Sequence, residues 1–162
     1  MIVSQHSVTS NIAKYINQCL RPFADNKIKT LTFRDEADFM QKLNYYAYNE
    51  HRLTPTTFFC TIKITNFYTL DDHQTMIDTI ISFLRDHSVN NKIDRISIMT
   101  MKNLLQLFLY NNVFCYHNII YTIDKGSPNT MALSDTLSNI YLFDWQKMIL
   151  KEVGRKYELF GR

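Results

Sequence analysis

Apolar residues recur at steps of three and four along most of the chain. This helical period constrains the fold more than any other feature. Over residues 9–24 the stripe is Ile12, Tyr15, Ile16, Cys19, Leu20 and Phe23. Thr9, Ser10 and Asn11 offer N-caps, and Pro22 is expected to end this helix near its own position. A second helix is expected over 35–48, capped by Asp35, with Phe39, Met40, Leu43 and Tyr46 or Ala47 inward. A third, over 72–87 and capped by Asp71 or Asp72, carries Met76, Ile77, Ile80, Ile81 and Leu84. A fourth, over 94–111, carries Ile98, Met101, Leu104, Leu105, Phe108 and Leu109. The last runs from about Asn129 or Thr130 to Val153, with Leu133, Leu137, Ile140, Tyr141, Met148 and Ile149 on one face.

Two stretches break this period. Pro55 opens a segment, 57–65, in which Phe58, Cys60, Ile62 and Ile64 alternate with Phe59, Thr61, Lys63 and Thr65. Period two with aromatic and β-branched residues predicts a strand, followed by a turn at Tyr68–Asp72. Val113 to His117, a turn at Asn118 and Ile119 to Ile123 predict a hairpin. With 46% hydrophobic residues and no repeat or linker, the 162 residues suit one globular α+β domain of several helices packed on a small antiparallel sheet. Only 3 Gly and 3 Pro argue against a loop-dense sandwich and against collagen-like classes.

The charge balance, 18 Lys+Arg against 15 Asp+Glu, permits nucleic-acid binding without arguing for it. No apolar run approaches the roughly 18 residues of a membrane span, so no membrane contact is expected. Met1–His6 has neither a basic nor an apolar signal region, so the cytoplasm or nucleus is the expected compartment. Cys19, Cys60 and Cys115 form no C-x-x-C pair and each sits in an apolar pattern, which reads as buried reduced thiols. Among His6, His51, His73, His87 and His117 there is no zinc-ligand spacing. Asp72 and His73 could reach a metal, but the simpler reading is a helix cap and a surface residue. Ser127 follows Gly126 without a G-x-S-x-G, and the scattered glycines form no phosphate loop.

The most specific stretch is Lys125–Leu142, which reads KGSPNTMALSDTLSNIYL. A glycine–proline turn after a hairpin feeds a helix with small residues and an asparagine on one side. On its own that is compatible with an ordinary turn and an N-capped helix. It also resembles the template-and-substrate gripping motif (motif B) of reverse transcriptases, above all Penelope-like elements, with Gly126, Leu137, Asn139, Ile140 and Tyr141 in register. Ile62–Thr69 resembles the family's motif A strand and turn. Leu104–Asn112, running on to Phe114, Tyr116, Asn118 and Tyr121, resembles the helix and hairpin that precede motif B. Tyr157–Arg162 looks like the lead-in to the Y-x-D-D of motif C, which the 162 residues do not reach. The likeness spans roughly residues 10–162.

The resemblance implies a partial polymerase palm and fingers, with about 1–56 fingers-like and 57–162 palm-like. The family holds two Mg²⁺ ions on carboxylates of motifs A and C. Here Lys63 stands at the motif A aspartate position, and its ammonium repels a cation. Asn129 and Thr130 replace the family's Met-Gly pair, and Asp135 replaces a proline. The implied product is therefore a degenerate domain without polymerase activity and with no cofactor expected. It could retain RNA or DNA contacts at Lys125, Gly126, Asn129, Asn139 and Tyr141, with Arg21, Lys27, Lys29 and Arg34 in the fingers-like part. Interspersed Asp and Glu leave a solvated face as the plainer reading of those cations. Three alternatives stay open: a module whose exposed palm edge docks a protein partner, a non-functional mobile-element fragment, and an α+β domain of coincidental likeness.

Overall fold

The computed structural model describes residues 9–64, 71–128, 131–156 and 158–162. The expected turn at Tyr68–Asp72 lies mostly outside these residues, as do His6, Thr65, Asn129, Thr130 and Tyr157. The described architecture is α+β, with helices and two two-stranded antiparallel sheets. The chain divides into two compact units, Met1–Lys27 with Asn66–Trp145, and Ile28–Thr65 with Gln146–Arg162.

In the larger unit, α1 (Ser10–Ile28) starts where the Thr9 carbonyl accepts the Ala13 N–H at 2.9 Å. The Thr9 hydroxyl donates to Asn112 Oδ1 at 2.7 Å, so the cap is also a tertiary contact. The helix does not stop at Pro22. The proline removes the donor to the Gln18 carbonyl, which costs about 3 kcal/mol in a helix interior. Ile16, Leu20, Ala24 and Ile28 are nevertheless buried in steps of four, and their burial offsets that loss by carrying the stripe through the proline. Tyr15 faces water instead of the core.

Helix α3 (His73–His87) forms as its stripe and cap require. Asp72 accepts the Thr75 N–H at 2.9 Å, and Met76, Ile77, Ile80, Ile81 and Leu84 are all buried. It packs on α4 (Ile98–Tyr110) and α5 (Ala132–Trp145). Ile98, Met101, Leu105, Phe108 and Leu109 of α4 and Leu133, Leu137 and Ile140 of α5 complete the core. Phe83 makes edge contacts with Phe23 and Phe143 at 6.0 and 5.4 Å. Helix α4 begins four residues later than its apolar spacing implies. Residues before it form a tight hairpin, β1 (Lys92–Ile93) with β2 (Ile96–Ser97), turned by Asp94 at φ 54. Ser97 then caps α4 by accepting the Thr100 N–H at 3.0 Å.

The hairpin expected at 113–123 is present as β3 (Val113–Tyr116) and β4 (Ile119–Thr122). His117 and Asn118 both take left-handed backbone, φ 49 and 59. That pair matches the two-residue turn whose twist suits the flanking strands.

The smaller unit contains α2 (Glu36–Asn44), capped by Asp35 through the Asp38 N–H at 2.8 Å. It continues as a π-helical turn, Tyr45–Asn49. Met40 is exposed, and the buried residues of this stretch are Asp38 and Tyr46. Asp38 is held by Lys42 at 3.0 Å and Arg34 at 3.5 Å, and hydrogen bonds from the Arg34 N–H and Lys42 lower its pKa. The Tyr46 hydroxyl donates to Glu158, and Arg52 donates to the Lys156 carbonyl. Residues 31–33 pair with Arg162 through backbone bonds of 2.8 and 3.1 Å. Gly161 lies so close to the Phe33 ring that any Cβ there would strike it.

The strand expected at 57–65 is absent over its described part. Pro55 and Thr56 form a turn closed by the Thr57 N–H to the Thr54 carbonyl at 3.0 Å. Residues 57–64 pair with no strand among the described residues, and Phe58, Phe59 and Ile62 are 88%, 69% and 62% exposed. An alternating pattern needs a neighbouring strand and a face to bury, and among the described residues this segment has neither. Cys60 is therefore exposed and Cys19 half-buried, which corrects the buried-thiol expectation; the Cys115 side chain lies outside the description. The single long helix expected to Val153 is two helices. It breaks at Gln146, and α6 (Lys147–Lys156) follows with Met148 80% exposed. The stripe that is continuous in sequence belongs to two different compact units.

Candidate functional site at the β4–α5 loop

The loop leaving the hairpin is built onto the start of α3. The Ile123 N–H donates to the Asn112 carbonyl at 3.1 Å, which prolongs the β3–β4 ladder by one bond. Lys125 then bridges antiparallel to Asp72, and the Gly126 N–H donates to the Asp71 carbonyl at 3.0 Å. Gly126 takes φ 70, a left-handed turn that a side chain resists and glycine does not. Ser134 closes the loop from inside α5 by donating to the Pro128 carbonyl.

Asp71 joins three elements. Its backbone holds Gly126, and its Oδ2 accepts the Tyr141 hydroxyl at 2.7 Å from α5. The Asp71 carboxylate, with burial second, pushes the Tyr141 pKa up to about 12. Asp72 spends its two oxygens on the Thr75 N–H and hydroxyl, both at 2.9 Å, which hold its carboxyl below the usual range. His73 is buried rather than on the surface. Its ring meets Tyr110 edge-on at 5.2 Å, and its Nε2 has no hydrogen-bond partner among the described residues. Burial lowers its pKa against opposing pulls from Gly126, Asp124 and Asp72. It is buried because it lies three and four residues before Met76 and Ile77, on the same buried face of α3.

Of the expected contact residues, Gly126 and Tyr141 thus meet Asp71, and Lys125 bridges to the neighbouring Asp72. Asn139 is exposed and sits two positions before Tyr141, a spacing that places side chains on different sides of a helix. Asn129 lies outside the described residues. Lys63 is exposed in the segment without assigned secondary structure in the other unit. Of the fingers-like cations, Arg21 pairs with Asp25 at 3.6 Å and Arg34 with Asp38, while Lys27 and Lys29 are exposed. Asp124 precedes Lys125 in the chain and Asp72 bridges to it through the backbone, so the exposed Lys125 stands beside acidic residues.

Among the described residues no group of three or more His, Cys, Asp or Glu is arranged to hold a metal ion. Asp72 in particular is committed to its cap. No described helix is long and apolar enough to cross a membrane. Sequence reasoning missed Asp71 as the joint of the site. The signal was the acidic pair before the α3 stripe, but nothing local links it to a tyrosine 70 positions away. The chain matches no family model, and neither a curated protein nor a solved structure matches it significantly.

Proposed function

We propose that the chain is a degenerate reverse-transcriptase-like domain, of RNA-directed DNA polymerase ancestry, that lacks polymerase activity and keeps weak RNA or DNA binding. The observation that carries this reading is an ordered trio: a tight hairpin, a left-handed glycine at 126, and a helix bearing Asn139 and Tyr141. That succession is what the resemblance to motif B asks of a palm-like region. Lys63 supports the loss of polymerisation, because a lysine cannot ligate the ion that activates a primer 3′-hydroxyl. Phosphate contact falls to Lys125 and to exposed cations such as Lys27 and Lys29, since Asp71, Asp72 and Asp124 repel phosphate.

The test pairs primer extension in Mg²⁺ or Mn²⁺ with filter binding of a primer–template across a salt series. Expected are no extension and binding that weakens with salt. Lys125→Glu should weaken binding and flatten the logarithmic salt slope by about one. Extension above background would overturn the reading of Lys63. Binding that ignores salt, or is absent at low salt, would overturn nucleic-acid contact.

A further inference from the structure

The two compact units do not share the charge of the chain. The smaller, Ile28–Thr65 with Gln146–Arg162, holds 10 Lys+Arg against 6 Asp+Glu, and the larger holds 8 against 9. The smaller unit is therefore +4 and the larger −1. Such an imbalance points to a polyanionic partner. Three of the four excess charges lie on α6, where Lys147, Lys151, Arg155 and Lys156 stand against Glu152.

Helix α6 keeps its two sides apart. Ile149, Leu150 and Val153 are half-buried on one side. Lys147, Lys151 and Arg155 follow at steps of four on the other, all exposed. At the helical rise these cations stand about 6 Å apart, so a single strand can meet them with successive phosphates. Arg155 also pairs with Glu152 at 2.8 Å, so the one acid of α6 competes for the end of the row.

The same unit exposes aromatic rings. Tyr45, Tyr48, Phe58 and Phe59 are each more than half exposed. The turn bearing Tyr45 and Tyr48 is fixed beside the C-terminal end of α6, because the Tyr46 hydroxyl donates to Glu158 and Arg52 donates to the Lys156 carbonyl.

We infer that the smaller unit binds single-stranded nucleic acid, with the α6 row on the phosphates and Tyr45 and Tyr48 stacked on bases. Cations that track a backbone, together with rings that stack on bases, are the means by which single strands are held. Duplex bases already stack on one another and leave the rings unused. A lipid surface needs an open apolar face beside the cations. That side of α6 is already half-buried, and Met148 is its one fully exposed apolar side chain. An acidic peptide offers carboxylates to the row but no bases to the rings. The inference shares nucleic-acid contact with the proposed function, but not its polymerase ancestry, and it rests on residues other than Lys125.

Fluorescence anisotropy of the intact chain with a labelled oligo(U) of about 20 nucleotides, and with a duplex of equal length, tests it. Expected are tighter binding of the single strand and a logarithmic salt slope of about −2 to −3, as three or four phosphates give. Lys151→Gln should weaken binding and flatten that slope by about 0.7. Tyr48→Ala should weaken binding about fivefold or more. Glu152→Gln should tighten it about twofold, a gain that no folding defect produces. All three side chains are exposed, so the circular-dichroism melt should not move. Binding that ignores both Lys151→Gln and Glu152→Gln overturns the inference; if Lys125→Glu still weakens it, the proposed function survives alone. Equal affinity for the duplex, or indifference to Tyr48→Ala, overturns the single-strand assignment. A chain that binds polyglutamate or phosphatidylserine vesicles but not the oligonucleotide gives the row to protein or lipid, and overturns it too.

Discussion

Replacing Tyr141 with phenylalanine removes one hydroxyl and leaves the ring in place. That hydroxyl donates to Asp71 at 2.7 Å, tying α5 to the residue just before the α3 cap. The Tyr141 pKa, raised from 10.0 to about 12, corresponds to at most about 2.7 kcal/mol in favour of the neutral phenol. Both side chains keep partial access to water, so solvent screening reduces the net contribution to about 1–1.5 kcal/mol. For a chain of this length each kcal/mol moves the melting temperature by about 2–4 °C. Tyr141→Phe should therefore melt about 3–5 °C lower at pH 7 by circular dichroism. Because the folded pKa is raised, the stabilisation is fully present below about pH 10 and is lost as pH rises through about 12. A cycle with Asp71→Ala should return a coupling of about 1 kcal/mol. Melting within about 0.5 °C of the parent, or a coupling near zero, would refute the assignment of Asp71 as the joint between α3 and α5.

His73 gives an acid-side counterpart. Burial lowers its folded pKa below the ordinary 6.5, so its contribution is complete above that pH and is lost as pH falls through the folded value. The melting temperature should fall between pH 6.5 and 5, and His73→Phe should flatten that fall; an identical slope in the variant would show that other groups cause it. In the core, Leu105→Ala should cost about 2–5 kcal/mol by urea denaturation, since Leu105 is fully buried. Met148→Ala, at an 80% exposed position, should stay within about 0.5 kcal/mol. Equal losses at the two positions would contradict the assigned packing.

What could be read from the residues follows from how local each signal is. The extent of helix α3 and five of its core positions were legible, because they lie within one short window, whereas the burial of His73 and Phe83 was not. The β3–β4 hairpin was legible because both its turn and its strands are local. The segment 57–64 was not, since its alternation specifies a strand only if a second strand is present, and none is among the described residues. The continuation of α1 through Pro22 and the break at Gln146 were hidden for the same reason. Each depends on what the helix packs against, which outweighs a residue's own preference. In the site, Gly126 and Tyr141 were reached only through resemblance. Their link through Asp71, and the burial of His73, exist only once α3, α5 and the loop are assembled.

Among the described residues, six other than glycine hold left-handed backbone: His51, Asn90, Asn91, Asp94, His117 and Asn118. All six are exposed, so burial alone would let these positions drift freely. Backbone geometry forbids that drift. A change to Val, Ile or Thr at any of them carries about 1–2 kcal/mol of steric penalty, whereas a change to Gly relieves it. With 3 glycines in the whole chain, its reversals depend on short polar side chains that tolerate this conformation. These surface turns therefore restrict mutation although they lie in water, so exposure alone does not mark a position as open to change.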